Sequence, residues 1–315
     1  MSVRMRAVVA TALGGPEVLV EQEVERPEPL PTEIQVRVHA AGINPIDWKT
    51  RRTGGLGTLG EPPFILGHDV SGVVEKVGAG VTIFKPGDEV FGMPWFPRPA
   101  GAYAEYVTAP ARQFVRKPAS LDHVQAAGLP LAGLTAWQAL VDTANIQPGQ
   151  RVLVHAAAGG VGHLAVQIAK AWGAYVIGTA RRVNHDFVRA LGADDVIDYT
   201  EVDFAEVVSD VDVVLDTIGG DYATRSLRTL RRGGYLIQLT GPGVSAAEAE
   251  ERGVWAGFVL VEPDPIGLRE LVSLVEAGRL RVEVAATAPL AEVAKLHELS
   301  ESGRVRGKLV LTVTA

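Results

Sequence analysis

The pattern of apolar and polar positions changes along the chain. In the N-terminal part, short segments alternate apolar and polar residues and are separated by Gly and Pro turns. A period of two is typical of half-buried strands. We therefore expect strands at 7–10, 18–24, 33–40, 72–77, 89–91 and 102–108. This part of the chain is predicted to be a β-rich module rather than a repeated strand–helix array.

From Arg151 onwards, buried-type apolar runs alternate with segments of helical spacing. Strands are predicted at 151–154, 174–180, 195–199, 211–217, 234–240 and 257–261, with helix-like segments between most of them, for example 221–231. Six such strands predict an α/β fold with a doubly wound, parallel, six-stranded Rossmann sheet. Two amphipathic helices, 265–277 and 289–300, and a closing strand, 307–313, follow it.

We expect the closing strand to return to the β-rich module, which makes that module discontinuous. The predicted domains are residues 1–119 with 262–315 for the β-rich module and 120–261 for the Rossmann domain. A chain of 315 residues is long for one hydrophobic core and natural for two.

The segment Arg151–Gly162 is a buried strand followed by a glycine turn and a helix. It predicts a dinucleotide site at Ala158, Gly159, Gly160, Val161 and Gly162. Gly159 lets the backbone approach a pyrophosphate, Gly162 lets the helix lie close to the strand, and the helix N-terminus offers free N–H groups. Ala157 replaces the first glycine of the usual motif, and an ordinary tight turn is the alternative.

The residues after the next strand select the cofactor. An NAD site usually has a carboxylate about twenty residues beyond the glycines. That place holds Ala180, Arg181 and Arg182. Because guanidinium groups pair with a 2′-phosphate, the sequence predicts NADPH as the cofactor, unless both arginines are solvated surface charges. Ligands of such sheets bind beyond the carboxyl ends of the strands, which brings Thr179, Thr217, Thr240 and Val259 into the predicted site.

Composition excludes several kinds of chemistry. The chain contains no cysteine, so it has no disulfide, no catalytic thiolate and no cysteine-ligated zinc site. A net charge of −7 without a basic cluster argues against nucleic acid as a partner. No apolar run approaches the length needed to cross a bilayer and no signal peptide is visible, so we expect a cytoplasmic protein without a membrane partner.

Several motifs together resemble the medium-chain dehydrogenase/reductase superfamily, in its zinc-less NADPH:quinone oxidoreductase branch, which includes zeta-crystallin-like proteins. The resemblance covers essentially the whole chain. The residues that carry it are 67–78, 86–90, 131–137, 154–162, 191–194, 196–199 and 307–311. It implies that the β-rich module is a GroES-like catalytic domain.

The resemblance also implies roles for single residues. Asn44 corresponds to the amide that reaches substrate and nicotinamide, although Asn-Pro is also a turn former. Asp47 corresponds to a residue that orients its neighbours or acts as an acid. Lys49 stands where many relatives carry a tyrosine, and it either steers an anionic oxygen or lies on the surface. Thr135 corresponds to a threonine under the nicotinamide, Tyr199 to a tyrosine beside the adenosine phosphate, and Lys308 to a residue near the cofactor.

Zinc-dependent members of the superfamily use cysteine ligands, which this chain lacks. His68 and Asp69 are therefore expected to be structural, and no metal site is predicted. Without a Lewis acid, the favoured reaction is NADPH-dependent hydride transfer to a quinone or an α,β-unsaturated carbonyl compound. A non-enzymatic NADPH-binding or redox-reporting protein is the alternative. Relatives of this kind imply a homodimer joined through 258–261, unless a helix or loop covers that edge.

Overall fold

A computed structural model describes residues 3–241 and 243–313. Its contacts divide the chain into two units. Unit 1 comprises Met1–Leu134, Glu262–Glu276 and Val282–Ala315, and unit 2 comprises Thr135–Val261 and Ala277–Arg281. The sequence places the first boundary at 119/120 instead, because the helices that follow residue 119 carry no signal that they pack on strands of unit 1.

Unit 1 is built from strands, as the alternating pattern predicts. Its strands are β1 (Arg4–Ala10), β2 (Leu19–Glu25), β3 (Glu33–Ile43), β4 (Phe64–Ile65), β5 (Asp69–Val77), β6 (Glu89–Gly92), β7 (Tyr106–Pro110), β8 (Phe114–Arg116), β15 (Val284–Pro289) and β16 (Lys308–Thr312). They form a three-stranded sheet in the order β2-β1-β4 and a seven-stranded sheet in the order β15-β16-β3-β5-β6-β8, with β7 on β3. The closing strand β16 pairs antiparallel with β3, which confirms its predicted return.

Helices flank the sheets of unit 1. They are α1 (Pro45–Thr53), α2 (His123–Ala127), α9 (Pro265–Glu276) and α10 (Val293–Glu301), and α3 (Pro130–Trp137) crosses the boundary between the units. A large apolar core of this unit collects side chains from β3, β5 and β16 together with Leu290, Val293 and Leu296 around the start of α10. Burial of this apolar area is what holds α10 on the sheet.

Unit 2 contains the predicted parallel sheet. Its strands are β9 (Arg151–Val154), β10 (Tyr175–Thr179), β11 (Asp195–Ile197), β12 (Val211–Asp216), β13 (Leu230–Gln238) and β14 (Trp255–Phe258). Its helices are α4 (Gly162–Ala171), α5 (His185–Ala190), α6 (Phe204–Val207), α7 (Asp221–Ser226) and α8 (Ala246–Arg252). The sheet has the order β11-β10-β9-β12-β13-β14 with every pair parallel, so the Rossmann architecture is confirmed.

The predicted helix over 221–231 is wrong at its C-terminal end. Helix α7 stops at Ser226, and β13 begins at Leu230. The hydroxyl of Thr229 donates to the Ser226 carbonyl at 2.8 Å and Val211 N–H donates to the Thr229 carbonyl at 3.0 Å, so the chain turns directly into the sheet. Every helix in the described part of the chain is too short or too polar to span a bilayer.

Candidate functional site

In unit 2, the turn between β9 and α4 brings the backbone into close contact with itself. A Cβ atom on Gly162 would lie 2.2 Å from the Ala156 carbonyl oxygen, and one on Gly159 would lie 3.1 Å from the same oxygen. Gly162 therefore cannot be replaced without moving the start of α4 away from the strand. Ala156 has a left-handed φ of 45°. The sequence does not predict this conformation, which L-residues other than Asn and Asp adopt infrequently.

The turn leaves main-chain donors free at the N-terminus of α4. Within the described part of the chain, the N–H groups of Gly160 and Val161 have no hydrogen-bond acceptor, and both residues are half-buried. Ala158 lies beside them and is buried. Free N–H groups at the positive end of a helix dipole form an anion site. This turn, Ala158–Gly162, which we call the glycine cradle, therefore fits the pyrophosphate of a dinucleotide.

The buried side chain of His155 holds this turn in place through hydrogen bonds. The His155 ring contacts the Thr179 hydroxyl at 3.2 Å through Nδ1 and the Ser226 hydroxyl at 2.9 Å through Nε2. The main-chain carbonyl of His155 accepts a hydrogen bond from the Thr217 hydroxyl at 2.9 Å, and Ala156 N–H donates to the Thr179 hydroxyl at 3.2 Å. Burial lowers the pKa of His155 to about 3, so the ring is neutral. Thr179 and Thr217 are thus committed to the frame of the turn.

Two of the residues predicted for the adenosine end of the cofactor site are in contact with each other. Arg181 Nε donates to the Tyr199 hydroxyl at 3.0 Å, so residues that follow two neighbouring strands meet at the surface. Arg182 N–H donates to the carboxylate of Asp198 at 2.8 Å. Hydrogen bonds from Thr200 lower the pKa of that carboxylate, which keeps it ionised and engaged with the backbone. Both arginine side chains are exposed.

Thr240 and Val259 follow the ends of β13 and β14. The Thr240 hydroxyl lies 2.1 Å from the position of a Cβ on Gly219, so the loops after β12 and β13 touch only because residue 219 is glycine. Val259 N–H donates to the Gln238 carbonyl at 3.0 Å. These residues lie at the carboxyl edge of the sheet, where ligands of doubly wound folds bind.

In unit 1, Asn44 stands between β3 and α1. It is the N-cap of α1, Pro45 occupies the first helical position, and Gly54 closes the helix with a left-handed φ of 81°. The Asn44 N–H donates to Asp47 Oδ2 at 2.8 Å. This contact is half of a capping box and fixes the main chain of Asn44.

The side chain of Asn44 is held by two partners that are distant in sequence. Its Nδ2 donates to Asp69 Oδ2 at 2.9 Å, and its Oδ1 accepts from Lys308 Nζ. Lys308 Nζ also donates to the Ile43 carbonyl at 3.0 Å and lies 3.5 Å from Asp69 Oδ2. An ammonium group has three protons, and these contacts offer an acceptor for each of them. Lys308 therefore fixes the amide orientation, and Asn44 keeps one N–H for another acceptor.

Burial sets the charge states of this cluster. It raises the pKa of Asp69 and lowers the pKa of Lys308, and the charge of Lys308 opposes the shift of Asp69. Burial also raises the pKa of Asp47 to about 7, against the stabilising hydrogen bond from Asn44. Leu131 N–H donates to Asp69 Oδ1 at 2.7 Å, which completes the partners of that carboxylate. From the sequence, Asp69 is expected to be structural, and its contact with Asn44 is not predicted.

The other two residues of the predicted catalytic set are Lys49 and Thr135. Lys49 is half-buried on α1, with its ammonium nitrogen 5.7 Å from the centre of the Trp48 ring. Thr135 is buried in α3 and belongs to unit 2. His68 is buried against the edge of Phe96, and burial lowers its pKa to about 4. Among the described residues, no three histidine, aspartate or glutamate side chains form a group that could hold a metal.

Comparisons with known proteins match both units. Residues 30–119 match the alcohol dehydrogenase GroES-like domain, and residues 191–311 match the zinc-binding dehydrogenase family. The 2-haloacrylate reductase of a Burkholderia species is 36% identical over 97% of this chain and 98% of its own. The chain belongs to the medium-chain dehydrogenase/reductase superfamily, in its quinone oxidoreductase branch.

Solved structures of this superfamily agree with the fold described above. The quinone oxidoreductase of Coxiella burnetii superposes with a TM-score of 0.93 at 39% identity and covers 99% of this chain and 100% of that one. The Escherichia coli quinone oxidoreductase, solved in complex with NADPH, superposes with a TM-score of 0.88 at 33% identity and covers 98% of this chain and 99% of its own. The family predicted from the motifs is thereby confirmed.

Proposed function

We propose that this protein is an NADPH-dependent oxidoreductase that reduces quinones or α,β-unsaturated carbonyl compounds without zinc. The observation that carries the proposal is the glycine cradle of unit 2 together with the Arg181–Tyr199 pair, because the two features fit a pyrophosphate and a 2′-phosphate. The similar E. coli enzyme was solved with NADPH, which supports the same cofactor here. When bound, NADPH supplies the hydride.

In unit 2, the residues divide into those that touch the cofactor and those that hold the turn. Gly160 and Val161 offer N–H donors, and Ala158, Gly159 and Gly162 shape the cradle. Arg181, Arg182 and Tyr199 bind the adenosine phosphate, while Thr240 and Val259 line the remaining strand ends. Thr179 and Thr217 act indirectly through His155, since their hydroxyls are engaged with it.

In unit 1, the second N–H of the Asn44 side-chain amide, which Asp69 does not use, binds the acceptor oxygen of the substrate. Hydride transfer to a quinone or to the β-carbon of an enone places negative charge on that oxygen. A donor already fixed by Asp69 and Lys308 requires no reorganisation as the charge develops, and such a donor contributes about 2–4 kcal/mol to the transition state. Lys308 thus acts through Asn44 rather than on the cofactor, as a positioning residue.

Zinc independence rests on the ligands that the chain offers. It has no cysteine to complete a tetrahedral site, and the imidazole of His68 is packed against an aromatic ring. Asp69, its neighbour in sequence, is already engaged with Asn44 and Lys308. These residues do not fit the zinc site of the alcohol dehydrogenases.

Two further residues complete the proposed catalytic set. Lys49 has no carboxylate partner among the described residues, so its charge is available to an anionic substrate group. The similar 2-haloacrylate reductase acts on an unsaturated acid, which makes this role specific enough to test. Thr135 is proposed to pack under the nicotinamide. A cytoplasmic location and a homodimer are part of the proposal as well.

Steady-state oxidation of NADPH tests the function directly. The acceptors are 1,4-benzoquinone, 9,10-phenanthrenequinone, acrolein and 2-chloroacrylate, with ethanol and NADP⁺ as the contrasting pair. We expect turnover with at least one of the four acceptors and none with ethanol. Tight NADPH binding without any turnover would favour a binding protein, and ethanol oxidation with stoichiometric zinc would overturn the zinc-independent assignment.

A further inference from the structure

A chain of buried polar side chains connects helix α10 to Asp47. Helix α1 contributes Asp47 and Arg51, which lie one turn apart, and helix α10 contributes His297 and Glu301, which also lie one turn apart. The Arg51 guanidinium contacts His297 Nδ1 at 3.3 Å and binds Glu301 at 2.5 Å. His297 Nε2 lies 3.2 Å from the hydroxyl of Tyr103. Arg51, His297 and Tyr103 are fully buried.

The chemistry of arginine gives this chain a direction. A guanidinium group has only donors, so Nδ1 of His297 must accept from Arg51. Burial and the charge of Arg51 lower the pKa of His297 to about 3, which makes the ring neutral. Its single proton therefore lies on Nε2 and is donated to the oxygen of Tyr103. The hydroxyl proton of Tyr103 is then left for a different acceptor.

One acceptor beside Tyr103 has a vacant position. The Oδ2 atom of Asp47 accepts from Asn44, whereas Oδ1 is buried without a hydrogen bond of ordinary geometry in the described structure. The Tyr103 hydroxyl and this carboxyl group act on each other: the hydroxyl lowers the pKa of Asp47, and the carboxylate raises the pKa of Tyr103. A buried carboxylate oxygen without a donor is costly, so a donor from Tyr103 is strongly favoured.

We propose that His297 is a positioning residue that Arg51 holds in one tautomer and that directs the Tyr103 hydroxyl proton onto Asp47. Asp47 in turn fixes the main chain of Asn44, the proposed substrate-binding amide. The other charged groups that act on Asp47 are Asp69 on β5 and Lys308 on β16. Glu301 on α10 neutralises Arg51 and also lies 3.6 Å from Arg52.

The titration of Asp47 tests the proposal independently of turnover. The full-length protein is labelled with ¹³C at the aspartate carboxyl carbons, and the Asp47 signal is assigned by its loss in Asp47→Asn. His297→Leu removes the donor to Tyr103, and His297→Gln keeps it, since a Gln side chain can accept from Arg51 through Oε1 and donate through Nε2. We expect the Asp47 midpoint to rise by a few tenths of a pH unit in His297→Leu, because the Tyr103 hydroxyl keeps Asp47 as an acceptor but is no longer held in one orientation, and to stay at the wild-type value in His297→Gln.

A second variant covers the case in which His297→Leu does not fold. Tyr103→Phe removes the hydroxyl itself and should raise the midpoint by about one pH unit. The double variant should show no rise beyond that of Tyr103→Phe, because without the hydroxyl His297 has no proton to direct. An unchanged midpoint in Tyr103→Phe, or an equal rise in His297→Gln and His297→Leu, would overturn the proposal.

The pH profile of kcat/KM adds a functional readout and rests on the proposed function. If ionised Asp47 is needed to hold Asn44, the acid limb of the profile should move to higher pH in His297→Leu and return in His297→Gln. If the Asp47 midpoints change as expected but the protein turns over none of the acceptors, the proposed function alone is contradicted. A shifted NMR midpoint with an unshifted acid limb would show that Asp47 does not act through its charge.

Discussion

Replacing Arg181 with alanine should separate the two nicotinamide cofactors. Arg181 is exposed, and its Nε donates to the Tyr199 hydroxyl at 3.0 Å, while its terminal nitrogens have no partner among the described residues and can bind a phosphate. A hydrogen bond to a charged partner is worth about 1.5–3 kcal/mol. Because the group is exposed, screening by solvent and salt places the effect near the lower end of that range. We therefore expect NADPH to bind roughly ten-fold more weakly, with little change for NADH.

The assay is direct titration of each cofactor by fluorescence or calorimetry at two salt concentrations. Arg189→Ala is the matched control, since Arg189 is also an exposed arginine of unit 2 but pairs with Asp186 on its own helix. This control should change neither affinity. The NADPH loss in Arg181→Ala should shrink at high salt, where the wild-type contact is already screened. Equal losses for NADPH and NADH, or no loss for either, would refute the assignment of Arg181.

Four further changes probe other parts of the molecule. Lys308→Met leaves the Asp69 carboxylate buried without its cation, so urea unfolding should show a loss of about 3–5 kcal/mol, and adding Asp69→Asn should recover part of it. The pKa of His155 is lower in the folded than in the unfolded protein, so the stability that the neutral ring contributes is present above about pH 6.5 and is lost as the pH falls towards 3. In the wild type, the free energy of unfolding should therefore decline between pH 6.5 and 5. His155→Gln should reduce the slope of that decline by up to about 1.4 kcal/mol per pH unit. Lys49→Gln should raise KM for 2-chloroacrylate several-fold and leave KM for acrolein within two-fold, measured by NADPH oxidation. Phe258→Asp places a charge on the edge strand β14; if the proposed homodimer forms through this edge, sedimentation velocity should show a dimer for the wild type and a monomer for the variant.

The parts of the site that could be predicted from sequence are local in the chain. The glycine turn lies within one strand–turn–helix unit, and its requirement for small residues is a property of consecutive backbone atoms. Arg181 and Tyr199 each follow a strand, and parallel strands end at one edge of the sheet. Their meeting therefore follows from the alternation of strands and helices.

The parts that could not be predicted depend on contacts between distant segments. Asn44, Asp69 and Lys308 come from three strand ends, and only the pairing of β3 with β5 and β16 brings them together. A lone lysine near the C-terminus carries no signal that distinguishes a cofactor ligand from a buried partner of an amide. The same holds for His155, whose partners Thr179 and Ser226 lie on separate elements of unit 2.

The two clusters also differ in how their charges are used. The charges of Arg181 and Arg182 face solvent, so the cofactor selection that we propose for them is a modest and salt-dependent attraction. The charges of Asp69 and Lys308 are buried, where an unpaired group would be costly, and the contacts of the pair orient Asn44 rather than bind a ligand directly. A site without zinc must place a neutral donor where negative charge develops. We propose that the buried ion pair of Asp69 and Lys308 supplies that donor by fixing the Asn44 amide, because the amide cannot rotate without leaving a buried charge without its partner.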